Sequence, residues 1–220
     1  MSSVERFLRL AVFSCLFVFT ASHSLAQVVA TAPPLSTDLA DYNNRWDAFG
    51  GFGYTRYTTT VGHQLNSNML GFKGQVTGWI NPTWGLTAST GNYSGSVALP
   101  ANVTGVTSAS ISEHMILVGP DFRLYKQPKY TIGYHFLLGG TYGIFDTSFK
   151  SGGFEPNVVN LPNNQLAFAV ATGGSFDYSI NPKFSARGII DFQPTHYGLA
   201  FQKDVAAAVG VVYKWGVLKK

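Results

Sequence analysis

Cysteine is nearly absent from this sequence, and the single one, Cys15, falls in an amino-terminal stretch with the layout of a secretion signal. Arg6 and Arg9 form a positive flank and Leu10 to Phe19 an apolar run. Ser24-Leu25-Ala26 then puts small residues where a signal peptidase reads, which predicts cleavage after Ala26 and Gln27 as the mature start. The run is shorter than the roughly 20 residues of a spanning helix. Cys15 raises a lipoprotein reading, but Phe13 is awkward in a lipobox, and cleavage there leaves Leu16 to Phe19 on the mature chain. Cleavage after Ala26 leaves about 190 residues, one domain in size, with no cysteine. Disulfides and thiol nucleophiles are then excluded.

Charge is also scarce. Charged residues are 12% of the chain, about half the usual quarter. No window of about 20 residues after Ala26 is continuously apolar, so no transmembrane helix is predicted. Helical periodicity is nearly missing, and so are P-loop, GxSxG, HExxH and CxxC patterns. The formal net charge of +4 is too slight and dispersed for nucleic acid. Aromatics, at 15%, and the 24 glycines are what the chain has in abundance. Few charges, many aromatics and no spanning helix suit a β-barrel whose outer wall faces lipid.

Two-residue alternation recurs along the chain and predicts eight strands. In the second, Leu70, Phe72, Val76 and Ile80 oppose Lys73, Gln75 and Thr77. In the third, Trp84, Leu86 and Ala88 oppose Thr83, Thr87 and Ser89. In the fourth, Ile116, Val118, Phe122 and Leu124 oppose Glu113, Asp121 and Arg123. The fifth sets Tyr130 through Ile144 against a row of small residues with His135. The sixth sets Leu166, Phe168 and Phe176 against Ala167, Ala169 and Asp177. The seventh sets Ile190 and Phe192 against Arg187 and Asp191, and the eighth sets Val209, Val211 and Tyr213 against Asp204, Ala206 and Lys214. The first, about Trp46 to Tyr57, is glycine-rich and its parity is open.

The connections alternate in length. Asn81-Pro82, Lys126-Gln127-Pro128-Lys129 and Ile180-Asn181-Pro182-Lys183 read as tight turns. Between them lie longer polar segments, about 58–67, 94–109, 147–163 and 194–203. The prediction is an all-β, eight-stranded antiparallel up-and-down transmembrane barrel over 46–216, with short periplasmic turns and four longer extracellular loops. A periplasmic lead occupies 27–45 and a tail 217–220. The tryptophans agree: Trp46, Trp79, Trp84 and Trp215 all fall at the short-turn or terminal end of a strand, and Tyr125, Tyr130, Tyr178 and Phe184 flank the other turns. Together they form a predicted aromatic girdle, although the parity of Trp79 points it inward.

Alternation alone also fits a soluble up-and-down barrel. There the polar row would be the surface and dense in Lys and Glu; here it is Gly, Ala, Ser and Thr with isolated charges. Assigned to the lumen, that row brings Lys73, Arg123, Arg187 and Lys214 against Glu113, Asp121, Asp177 and Asp191, a balanced set joined by His135. Buried charges must pair, and eight strands leave a lumen just wide enough for side chains to fill.

Phe49-Gly50-Gly51-Phe52-Gly53-Tyr54, Gly119-Pro120-Asp121-Phe122-Arg123, Gly173-Gly174-Ser175-Phe176-Asp177-Tyr178, the strand from Arg187 to Asp191 and the closing Gly210-Val211-Val212-Tyr213-Lys214-Trp215 resemble the OmpA/OmpX-like outer-membrane β-barrel family over about 46–216. The resemblance implies a bacterial outer-membrane location, contact with membrane lipid and lipopolysaccharide, and insertion by the outer-membrane assembly machinery. Such barrels usually end on an aromatic, whereas Trp215 is followed by Gly216-Val217-Leu218-Lys219-Lys220.

One group of residues suggests chemistry: Ser112, Glu113 and His114. Lipid A deacylases use Ser, His and an acid on the lipid-facing wall, and Ser112 and His114 share the outward parity. Glu113, the acid needed to orient the base, points the other way, so a polar patch facing lipopolysaccharide is the favoured reading. His63, His135 and His196 lack metal-ligand spacing, and neither cofactor nor metal is expected. The expected function is a structural or surface-interaction barrel with a filled, charge-balanced interior and no enzymatic activity. A narrow porin-like channel for small solutes is the alternative, and a lipid-A-modifying enzyme the third reading. Residues 94–109 carry no charge and suit an extended hairpin or a contact surface whose ligand the sequence does not identify.

Overall fold

The computed structural model of the protein describes residues 42–59, 65–99, 101–102, 105–146, 156–159, 161–198 and 200–218. The secretion signal, most of the lead, His63 and the end of the tail lie outside the described residues. Eight strands, β1 (Trp46–Thr59), β2 (Leu65–Trp79), β3 (Trp84–Ala98), β4 (Ser108–Lys126), β5 (Tyr130–Asp146), β6 (Gln165–Ser179), β7 (Phe184–Tyr197) and β8 (Ala200–Trp215), pair in chain order into a closed barrel. Every pairing is antiparallel, and β1 meets β8 from Trp46↔Trp215 to Arg56↔Val205, so no edge is left open. The eight-stranded up-and-down barrel read from the sequence is the observed one. Its only described helical piece is a 3-10 turn at Pro156–Val159.

Two of the tight turns repeat one device. Asn81 Oδ1 accepts from the amides of Thr83 (2.8 Å) and Trp84 (2.9 Å), and Asn181 Oδ1 from those of Lys183 (2.9 Å) and Phe184 (2.8 Å). Each asparagine side chain stands in for a backbone turn while the following proline supplies the fixed φ. These turns, the β4–β5 turn and both ends of the barrel share one rim, tied by Trp79 N–Arg45 O (2.7 Å), Ser179 N–Lys129 O (2.7 Å) and Lys214 N–Lys183 O (2.8 Å).

The long connections differ from expectation. β7 runs through Pro194 to Tyr197 and β8 starts at Ala200, so 194–203 is mostly strand, turned by Gly198 at φ +66. Pro194 does not stop the strand because it pairs with Lys203 of β8, while the β6–β7 ladder skips from Ala169↔Thr195 to Thr172↔Phe192 beside it. The missing amide costs a local gap and no more. Segment 94–109 takes the hairpin form that its sequence suits, with β3 reaching Ala98 and β4 beginning at Ser108.

The wall is apolar outside and polar inside. Phe52, Leu70, Ile116, Ile190 and Val209 are 65% to 70% exposed, whereas every charged residue of the lumen is only 1% to 7% exposed. Water on the outside would reverse that distribution; lipid requires it. Where β1 meets β8 the strands approach so closely that a Cβ on Gly51 would lie 2.4 Å from Val209 O, and one on Gly210 2.2 Å from Gly50 O.

Candidate functional site

Alternation along the strands aims a file of polar side chains into the lumen from each side, and they sort into three levels. At the short-turn end, Arg187 grips Asp177 through two bonds, Nε to Oδ1 (2.6 Å) and Nη2 to Oδ2 (2.7 Å). A planar guanidinium facing a carboxylate this way is the strong form of the ion pair. Asp47 lies 3.6 Å from Arg187 Nη2 and accepts from Arg123 Nη2 at 3.3 Å. Arg123 also donates to Asn44 Oδ1 (3.1 Å), and Asn44 bonds Asp47 in turn. Asp121 accepts from Thr87 Oγ1 (3.1 Å), and Lys214 stands within electrostatic reach of Asp47 and Asp177. From outside the strands, Tyr42 reaches across the mouth to Thr131 Oγ1 (2.9 Å) and the Gln127 carbonyl.

In the middle, Lys73 pairs with Asp191, which also meets His135 Nε2 (2.9 Å) and Gln193 Nε2 (3.4 Å). Toward the long-loop end the character changes. Glu113 accepts from Thr141 Oγ1 (2.9 Å) and Tyr197 OH (3.1 Å), and Asp204 from Thr58 N (2.9 Å) and Thr195 Oγ1 (3.2 Å). Neither acid has an ion-pair partner among the described residues. Above them Tyr57, Tyr93, Phe145 and Tyr197 pack with the loop residues Leu99, Val106, Val159 and Leu161 in one buried apolar cluster.

The girdle is built of half-exposed rings at the short-turn rim. Trp46 stacks on Trp215 (centroids 6.4 Å), Trp215 on Tyr213 (5.6 Å) and Tyr125 on Tyr130 (5.9 Å). Trp84, Tyr178 and Phe184 lie on the same outward face. Trp79 does not belong to it. Its ring is buried, 3% exposed, beneath the Arg123 guanidinium, because its parity is that of Lys73 and Thr77.

No protein-family model and no curated protein sequence matches the chain. Solved structures do. Ail, the attachment invasion locus protein of Yersinia pestis, aligns at a TM-score of 0.52 with 18% identity over 79% of this chain and 99% of that one. Neisserial surface protein A aligns at 0.55 with 9% identity over 77% and 97%. OprG from Pseudomonas aeruginosa, an outer membrane protein, aligns at 0.55 with 12% identity over 81% and 99%. The chain has the fold of the OmpA/OmpX-like outer-membrane barrels. Its apolar outer face is the wall that such a barrel turns to lipid.

The lumen of this barrel holds two acids beyond the balanced set read from the sequence. Asp47 and Asp204 are both 1% exposed. The lumen therefore carries six acids (Asp47, Glu113, Asp121, Asp177, Asp191, Asp204) against four bases (Lys73, Arg123, Arg187, Lys214), and its formal charge is not balanced. Asp204 shares the inward parity of Ala206 and Lys214, a signal already present in the sequence. Asp47 was hidden by the glycine-rich first strand. On the outer wall, Ser112 and His114 do not meet: Ser112 Oγ faces Ser94 Oγ (3.1 Å) and His114 Nδ1 faces Asn92 Oδ1 (2.7 Å). Glu113 faces inward, so no acyl-transfer triad is assembled there. His196 packs edge-on against Phe201 (4.5 Å).

Proposed function

We propose that the protein is a structural and surface-interaction barrel of the outer membrane: a sealed cylinder that stiffens the bilayer and presents its β3–β4 and β5–β6 connections to the outside. The observation that carries this reading is the filling of the lumen. Its ten charged side chains are 1% to 7% exposed, leaving little surface along which hydrated ions could pass. The short-turn mouth is crossed by Tyr42, Arg123 and Trp79, and the opposite mouth is stopped by the tyrosine-rich apolar cluster.

Delivery completes the proposal. A signal cleaved after Ala26 exports the chain, the outer-membrane assembly machinery inserts it, and lipopolysaccharide surrounds its outer half. Amino-terminal sequencing of the mature protein should begin at Gln27. Planar-bilayer recording of the refolded barrel tests the sealed lumen, and a flat trace is expected. Discrete steps whose size or selectivity shifts when Arg187 or Asp191 is neutralised would overturn it. The competing narrow channel takes its support from lumen atoms with no protein partner, Gln75 Nε2 and Arg123 Nη1 among them; the same recording decides between the two.

A further inference from the structure

The acids of the short-turn end all point inward. Asp47, Asp121 and Asp177 are 1% to 5% exposed, and Asp47 and Asp177 are paired with Arg123 and Arg187. The outside of that rim carries Arg45, Lys126, Lys129 and Lys183 and, among the described residues, no acid. The opposite rim differs, with Arg56 and Lys203 accompanied by the exposed Asp146. Among the described residues the barrel is thus electrostatically polarised along its axis, with a basic collar level with the aromatic girdle.

One member of the collar stands at the end of a groove. Arg45 and Trp46 close the water-side end of a depression of about 540 Å³ that runs up the lipid-facing wall between Val76, Leu86, Ala88 and Val118. Gly78 forms part of its floor, with the Trp46 ring so near that a Cβ there would lie 2.8 Å from it. The size falls in the roughly 300–1,000 Å³ range of small-ligand sites. Arg45 is exposed and makes no ion pair among the described residues, which puts its charge within reach of an external anion. An apolar channel at membrane depth ending in an exposed guanidinium at the membrane–water interface has the polarity of an amphiphile with an anionic head.

We infer that this groove binds an anionic phospholipid of the leaflet on the short-turn side, its acyl chain lying against Val76, Leu86 and Val118 and its phosphate held by Arg45. Lys126 adds to the local field, since it lies on the neighbouring turn, donating to Thr83 Oγ1 at 3.1 Å. Each basic residue at an anionic surface contributes roughly a fivefold preference, and the effect fades over about 8 Å at physiological salt.

The test is native mass spectrometry of the full-length barrel after transfer from nanodiscs of equal phosphatidylglycerol and phosphatidylcholine, counting retained lipids of each kind. The barrel should retain phosphatidylglycerol over phosphatidylcholine by about fivefold or more. Arg45→Gln should abolish most of that preference. Ala88→Phe, which fills the groove without touching a charge, should lower retention of the tightly held lipid. Arg56→Gln, on the opposite rim, should change neither. Arg45, Ala88 and Arg56 are exposed, and heat-modifiable gel mobility verifies folding of every variant before the lipid count. Equal retention of the two lipids would overturn the inference. So would a preference that survives both Arg45→Gln and Ala88→Phe but disappears only when Lys126, Lys129 and Lys183 are also neutralised, since that is diffuse attraction without a site.

Discussion

The guanidinium of Arg123 lies 3.6 Å from the centroid of the buried Trp79 ring, and the ring of Tyr42 approaches the same cation at 5.5 Å. A cation between two aromatic faces, held edge-on by Asp47 and Asn44, closes the short-turn mouth without leaving a charge unmatched. A desolvated cation–π contact contributes about 2 kcal/mol. Trp79→Leu should therefore lower unfolding stability by at least that amount, since it also removes packing, and Trp79→Phe should lose less. Urea titration of the refolded barrel in vesicles, followed by gel mobility, measures both. Equal losses in the two variants would remove the cation–π contact from the account.

Breaking the central pair should be costlier. Asp191→Asn leaves Lys73 buried without a counter-charge and removes the anion facing His135, a loss of about 3–5 kcal/mol. Replacing both partners, Lys73→Met with Asp191→Leu, should recover part of the loss, because neither apolar side chain needs a counter-charge while His135 Nε2 and Gln193 Nε2 lose their acceptor. With the single variants Lys73→Met and Asp191→Leu, the double-mutant cycle gives the coupling directly. A double variant no better than Asp191→Asn would show that the pair is not self-contained.

The β1–β8 seam makes a steric prediction. Gly51→Ala and Gly210→Ala each force a methyl group against backbone at 2.4 Å and 2.2 Å, and each should destabilise by about 1–3 kcal/mol. Gly188→Ala, with nothing within 4 Å, should stay within about 0.5 kcal/mol of the parent. Thermal melting by circular dichroism ranks the three.

Depth in the membrane is tested from outside. Val209→Lys on the middle of the wall should cost about 2–4 kcal/mol in vesicles, and Ser96→Lys, near the loop rim, about 0–1. In a barrel surrounded by water the two would differ little.

Most of the fold was legible because the period of a strand is short and the wall has one demand on each face. Leu70, Phe72 and Val76 against Lys73, Gln75 and Thr77 could be assigned to the two faces of β2 without knowing their partners. Errors came where a residue's meaning depends on a neighbour in another strand. Pro194 reads as a breaker in one dimension, yet it sits in a barrel that tolerates a gap in one ladder. Trp79 reads as girdle by position and as core by parity; Arg123, which decides the matter, is distant in sequence. In β1, glycines erase the alternation, so Asp47 could not be placed and its charge went uncounted. The grouping of the lumen into an ion-paired end and a tyrosine-rich end depends on barrel stagger, which no single strand encodes.

The pairing of Trp46 with Trp215 also governs how this molecule comes into being. The last strand made is the one that the first strand needs, so closure joins the two ends of the barrel sequence and comes at the greatest loop-closure entropy. Until then both margins of the growing sheet expose unpaired amides and carbonyls, each costing several kcal/mol in hydrocarbon. No half-built version can reside in the bilayer on its own. Closure is thus all-or-none, and a chain truncated before β8 should be degraded rather than persist as a smaller membrane protein.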